Sequence, residues 1–213
     1  MKIKFAHLFV LTAMISLQAN AASLVDGDAA DGKTKAVSCG ACHGSDGNSV
    51  NPAWPNIAGQ NANYIVAQLK AFQKGENGEE ALRSDPLMTN MATSLSDQDI
   101  RDLAVYFEGL PAAANSVAND ATVARAEALY RGGNEENKAA ACLACHGPTG
   151  RGNPAATYPA LNGQHAQYTA KQLRDYASNT RQSDGKTKIM RDVASRLSSD
   201  DIDAIASYVQ GLK

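Results

Sequence analysis

The sequence predicts an all-α protein built from two tandem helical domains behind an N-terminal export signal. Three observations carry that expectation. A charged and then apolar segment opens the chain, the remainder repeats itself at a nearly constant offset, and apolar residues in both repeats recur at helical rather than strand spacing.

The opening segment reads MKIKFAHLFVLTAMISLQANA. Lys2 and Lys4 form a charged start, and Phe5 to Leu17 is an apolar run too short to span a bilayer comfortably. Ala19-Asn20-Ala21 is an A-x-A cleavage site, so removal of residues 1–21 is expected, with an uncleaved anchor as the competing reading. No second apolar run follows, which predicts a soluble, exported protein. Cleavage leaves 18 basic and 22 acidic residues. That balance argues against a nucleic-acid binder, which needs a basic face.

The repeat sets the domain plan. WPNIAGQNANYIVAQLKAF from Trp54 matches YPALNGQHAQYTAKQLRDY from Tyr158, and LSDQDIRDLAVYFEGL from Leu95 matches LSSDDIDAIASYVQGL from Leu197, at offsets of 102 to 104 residues. Two domains are expected, residues 22–110 and 122–213. Residues 111–121, rich in alanine, asparagine and serine after Pro111, form a linker strapped across the surface between them.

Along the first domain, Asp28 to Ser38 reads as a helix leading into Cys39, and Asn63 to Lys74 as a second helix. Ser96 with Asp99 resembles a capping box ahead of a third, whose Ile100, Leu103, Ala104 and Phe107 keep helical spacing. Gly44 to Gly59 and Gly75 to Leu95 read as loop-rich. The second domain repeats the plan with Thr122 to Tyr130, Gln167 to Ser178, and the helix after Ser198 and Asp201 that carries Ile202, Ile205, Ala206 and Val209.

Each half holds one C-x-x-C-H motif, Cys39-Gly40-Ala41-Cys42-His43 and Cys142-Leu143-Ala144-Cys145-His146. On one helical turn, residues three apart project to the same side. Two thiols so placed can add to the vinyl groups of haem while the adjacent histidine coordinates its iron. Cys39, Cys42, Cys142 and Cys145 are therefore candidates for covalent attachment of two haem c groups, with His43 and His146 as iron ligands. A redox dithiol and a zinc site are the alternatives. The first lacks its βαβ setting, and the second finds only three clustered ligands per half. Small helical domains with few large aromatics also need such a group to pack around.

The second axial position calls for histidine, methionine or nothing. Beyond the export signal the one further histidine, His165, falls on Asn61 in the repeat, so it is read as a surface residue at a helix end. The second half has one methionine, Met190, seven residues before Leu197. Met88 lies seven before Leu95, whereas Met91 lies four before it, opposite Val193. Register selects Met88 and Met190 as iron ligands. Met91 is expected to fill a gap against haem or core, although a flexible loop could present either thioether.

Together, CGACHGSDGNS, WPNIAGQ, MTNM with LSDQDI, CLACHGPTGRGN, YPALNGQH and IMRDVASRLSSDDI resemble the di-haem cytochrome c4 family over essentially all of the chain after the signal. The resemblance implies two class I cytochrome c domains related by a pseudo-twofold axis, with Cys39, Cys42, His43 and Met88 serving one haem and Cys142, Cys145, His146 and Met190 the other. It implies that Pro55 and Pro159 offer carbonyls to the histidine ring N–H groups. Trp54 and Tyr158, which precede them, are expected to pack near haem or in the core. It also implies a periplasmic electron carrier rather than an enzyme. Its partners would be redox proteins: a quinol-oxidising complex or other donor, a terminal oxidase as acceptor, and contact with the membrane surface at most peripheral. The runner-up is the electron-accepting subunit of an enzyme complex such as a flavocytochrome. A di-haem peroxidase would need an open or displaceable sixth position, which Met88 and Met190 argue against.

Charge distinguishes the halves. Residues 22–117 hold 6 basic and 12 acidic side chains, while residues 118–213 hold 12 and 10. The expectation is that the first domain meets a basic partner and the second an acidic one.

Overall fold

The computed structural model describes residues 23–74 and 79–213. The expected export signal lies outside them. Ten α-helices among the described residues form two sets of five. The first set is α1 (Ala29–Lys35), α2 (Gly40–His43), α3 (Ala62–Phe72), α4 (Pro86–Thr93) and α5 (Asp97–Glu108). The second is α6 (Val123–Gly132), α7 (Leu143–His146), α8 (Ala166–Ala177), α9 (Ile189–Ser195) and α10 (Ser199–Gly211). Extended pairing among the described residues is limited to two isolated bridges, Asn134 with Ala139 and Asn153 with Tyr158. The all-α expectation holds, and the matched helices lie within a few residues of their expected bounds.

Local chemistry starts the helices. Ser96 Oγ accepts from Asp99 N and Asp99 Oδ2 accepts from Ser96 N, a reciprocal box that opens α5. Ser198 and Asp201 do the same for α10. Asp28 caps α1 by accepting from Ala30 N and Asp31 N. The segment read as loop between Gly75 and Leu95 differs, because it contains α4. Asp85 Oδ1 accepts from Leu87 N and Met88 N, and Pro86 supplies the preset first-turn geometry.

In each half the first helix packs on the last, and the third packs on the last as well. The α1–α5 approach is close because position 32 is glycine. A Cβ there would meet Asp102 O at 2.1 Å and Tyr106 Cβ at 2.8 Å. Ala36, Ala62, Ile65, Leu103, Ala104 and Phe107 form the first core. In the second half Ala126, Leu129 and Tyr130 of α6 meet Ala204, Ile205, Tyr208 and Val209 of α10.

The chain between the halves touches both. Asn48 Nδ2 donates to Pro111 O at 3.1 Å, Asn115 Nδ2 to Gly163 O at 2.8 Å, and Gln210 Nε2 to Ser116 O at 2.8 Å.

A buried carboxylate ties α1 to α5. Asp102, with a side chain 1% exposed, accepts from Asp28 N at 2.8 Å and Gln98 Nε2 at 2.7 Å, and pairs with Lys35. The Asp28 N–H, followed by Lys35, lowers its pKa to about 2. Because the folded value is depressed, its contribution is complete above the ordinary carboxylate pKa of about 3.9 and fades as pH falls towards about 2. Asp102→Asn should therefore destabilise the protein at neutral pH by about 2 kcal/mol, through loss of charged hydrogen bonds to a buried group. Its stability should also vary less than the parent's between about pH 4 and pH 2. Thermal unfolding measures both, and an unchanged midpoint at neutral pH would contradict the assignment.

Candidate functional site

The two C-x-x-C-H motifs form single helical turns, α2 and α7. His43 N donates to Cys39 O at 3.0 Å and His146 N to Cys142 O at 2.9 Å, so each first cysteine caps the turn that carries its histidine. Gly44 ends α2 at φ 82°, a left-handed conformation that favours glycine, and a Cβ there would lie 2.2 Å from Asn48 O.

No disulfide joins the cysteines of either motif. Burial pushes Cys142 up to about 11 and raises Cys39 above its usual range. Redox-active dithiols depend on the opposite, a lowered thiol pKa. Nor do His, Cys, Asp and Glu side chains gather into a metal-binding group of three or more among the described residues. The dithiol and zinc readings therefore lose their support.

Both histidines are buried, His43 at 8% exposure and His146 at 5%. His43 Nδ1 lies 2.9 Å from Pro55 O, and His146 Nδ1 lies 2.9 Å from Pro159 O. A carbonyl only accepts, so Nδ1 carries the proton and Nε2 keeps a free lone pair. Burial lowers both histidine pKa values and the proline carbonyls partly oppose it. The neutral, ligand-competent tautomer results. Tyr158 stacks near His146 with ring centroids 6.3 Å apart, and Trp54 is half-buried.

These residues fit a covalently held haem. Half of the buried hydrophobic residues are alanines, so neither half fills its interior with large side chains of its own. Cys39 and Cys142 pack against the edges of the two cores.

Met88 and Met190 lie in corresponding short helices, α4 and α9, and both are half-buried. α4 packs on α3, and α9 on α8. Met91 is 42% exposed, so it fills no gap in the protein core. A helix also presents its side chains in fixed directions, which replaces the expected flexible loop.

The loops that hold the histidines are gripped from the opposite half. Gln164 Oε1 accepts from Asn56 N at 2.9 Å, and Gln164 Nε2 donates to Asn56 O at 2.8 Å. Gln60 makes the matching pair with Ala160, at 2.8 Å and 2.9 Å. Asn56 and Ala160 each follow a histidine-bonded proline. His165, expected on the free surface, instead meets Ser49 O through Nε2 at 2.8 Å across the interface. The repeated Gly-Gln pairs, Gly59-Gln60 and Gly163-Gln164, were the available signal for this exchange, but a one-dimensional match does not say that the two halves trade partners.

Comparison with known proteins agrees with this geometry. The cytochrome c family model matches residues 29–111 and 130–213. The chain is 44% identical over 206 residues to cytochrome c4 of Azotobacter vinelandii, covering 95% of this chain and 98% of that one. It superposes on the crystal structure of reduced recombinant cytochrome c4 from Pseudomonas stutzeri with a TM-score of 0.83 and 45% identity, over 88% of this chain and all of the other. A more distant relative, 36% identical over 177 residues, is the thiosulfate dehydrogenase electron acceptor of Stutzerimonas stutzeri, with coverage of 81% and 78%.

If the two half-sites are independent as attachment sites, Cys39→Ala with Cys42→Ala should reduce covalent haem from two to one per chain. Cys142→Ala with Cys145→Ala should do the same for the other site. Haem quantitation on denatured protein is the readout, and two covalent haems in either variant would refute the attachment.

Proposed function

Because the chain belongs to the cytochrome c4 family and holds two covalently bound haem c groups, we propose that it carries single electrons between periplasmic or membrane-associated respiratory partners. Members of this family are electron carriers rather than enzymes. The observation that supports the reading most directly is the pair of buried histidines, each with Nδ1 held by a proline carbonyl.

When bound, haem c supplies a one-electron iron couple whose potential depends on its axial ligands. In our reading Cys39 and Cys42 attach the first haem, and Cys142 and Cys145 the second. His43 and His146 would offer Nε2, and Met88 and Met190 their thioethers, as ligands to the iron. Pro55 and Pro159 hold the histidine rings in orientation and raise their basicity as ligands. With a histidine and a methionine committed to each iron, the bound groups would supply electron transfer rather than oxygen or peroxide chemistry. Residues 1–21 act as the export signal, residues 22–110 and 122–213 as the two domains, and residues 111–121 as the strap. Among the described residues no helix is long and apolar enough to cross a membrane. We assign a quinol-oxidising complex as one donor and a terminal oxidase as acceptor.

A second reading has its own support. The relative named as a thiosulfate dehydrogenase electron acceptor favours a role as the accepting partner of a dehydrogenase. Purification from the native host separates the two: the carrier reading expects the chain alone, and the second expects stoichiometric co-purification with an enzyme.

Ligand replacement tests the site. Met88→Ala and Met190→Ala should each remove about half of the ferric Met–iron charge-transfer band, since each takes one of two such ligands. Met91→Ala should leave that band intact. A full band in Met88→Ala would transfer the role away from that residue.

The charge split gives a kinetic test. Asp26→Lys combined with Glu80→Lys, both exposed in the acidic half, should slow exchange with a basic redox partner by about tenfold. Exchange with an acidic partner should change little. Equal effects on the two would remove the case for domain-specific docking.

A further inference from the structure

The interface contains two arginines that no described acid neutralises. Arg181 is 4% exposed. Its guanidinium donates to Tyr64 Oη at 2.7 Å, Gln68 Oε1 at 2.6 Å, Gln172 Oε1 at 2.7 Å and Ser183 Oγ at 2.9 Å. Arg83, half-buried, donates to Tyr168 Oη at 2.6 Å and to Gln68 Oε1 and Gln172 Oε1, both at 3.0 Å. Each arginine thus reaches the tyrosine of the opposite half and the glutamines of both. Their faces stack on Phe72 and Tyr176, each at 4.5 Å, which continues the pseudo-twofold pattern.

Every one of these partners is uncharged in its ordinary form, and neither arginine takes part in an ion pair among the described residues. Withdrawing a guanidinium from water without a counter-charge costs several kcal/mol. Here two of them share the same pair of amide oxygens, so repulsion adds to that cost. The surroundings register the excess. Burial by itself would raise the Tyr168 phenol, yet Arg83 and Arg181 hold it below its ordinary value.

The bonds named engage three of the five N–H groups of Arg83 and four of those of Arg181, which leaves three donors for carboxylate oxygens, the acceptors a guanidinium binds most strongly. Each haem c brings two propionate carboxylates into a protein that offers this site no described acid of its own. The site is also placed between the two haem-binding halves. Arg83 lies five residues before Met88 and Arg181 nine before Met190, on the segments that lead into α4 and α9. Gln182 N donates to Leu82 O at 2.8 Å where the two segments meet.

We propose that Arg83 and Arg181 form one cationic site, shared by the two domains, that binds haem propionates from both halves and couples the two haems electrostatically. The proposal rests on the di-haem reading but not on the choice of axial methionines or partners. A cation beside a propionate offsets negative charge that favours ferric iron. Removing it lowers the reduction potential, and a shared cation does so at both haems.

The test uses the intact di-haem protein. Spectroelectrochemistry of Arg181→Gln and Arg83→Gln should show both midpoint potentials falling in each variant, with Arg→Lys at the same positions retaining most of the parent values. Resonance Raman propionate bending bands of both haems should move in the glutamine variants. Unchanged potentials, or a shift confined to one haem, would overturn the proposal in favour of a purely mechanical lock between domains. Should the glutamine variants not fold, the lysine variants decide. They keep the charge but lose the fork, so the propionate bands should move while the potentials hold, and unmoved bands refute the site. Haem count and the Met–iron band, read on the same samples, keep this result separate from failure of the carrier assignment.

Discussion

The hydrogen bond from a histidine Nδ1–H to a proline carbonyl, made once in each half, is the constraint from which the rest of the structure can be followed. It fixes the tautomer, and so decides which ring nitrogen keeps a free lone pair. It also fixes where the proline loop lies relative to the cysteine turn. The residue after each proline is then held by a glutamine of the opposite half. A displacement of one domain is therefore felt at the histidine of the other within two hydrogen bonds. The two sites share a scaffold as well as a chain.

That scaffold depends on small side chains and on well-started helices. Alanines supply half of the buried hydrophobic residues. Such interiors are short of apolar area when considered alone, and haem provides the bulk that side chains do not. The helices do not depend on that bulk for their beginnings. Capping boxes at Ser96 and Ser198 are satisfied by the chain itself, and Tyr130 Oη anchors the second cysteine turn through Gly147 O at 2.7 Å. Local order of this kind gives a reason for the cysteine turns to be formed before the covalent bonds that lock them.

Much of this was legible in the sequence because it is local or repeated. The C-x-x-C-H turns, the capping boxes and the matched helices each follow from a few neighbouring residues. The helix carrying Met88 was also local, and Asp85-Pro86 announced it, but a helix of only eight residues leaves little periodic signal. Other features depend on pairing between halves. Gln60 and Gln164 stood out as repeated residues, yet nothing in a repeat states that each copy serves the other domain. His165 looked like a surface residue because its counterpart is Asn61. In the fold those two positions face each other's loops: Asn61 Nδ2 reaches Tyr158 O at 2.8 Å, and His165 Nε2 reaches Ser49 O at 2.8 Å. Their side chains differ, but each donates to a carbonyl across the interface.

Symmetry inside and asymmetry outside follow from different pressures on the same duplicated unit. The interface must satisfy every polar group it buries, and an exchange that satisfies one copy satisfies the other at no further cost in design. This accounts for the tyrosines and glutamines at equivalent positions and for an arginine from each half that meets them. The outer faces meet water, where charge is tolerated at either sign. Over the whole sequence the halves diverge, with 6 basic and 12 acidic residues in 22–117 and 12 and 10 in 118–213. A carrier built this way can keep matched contacts across its interface while presenting different fields to whatever approaches each end. Any difference between the two haems should then arise more from the outer charges and the local methionine helices than from the shared interface.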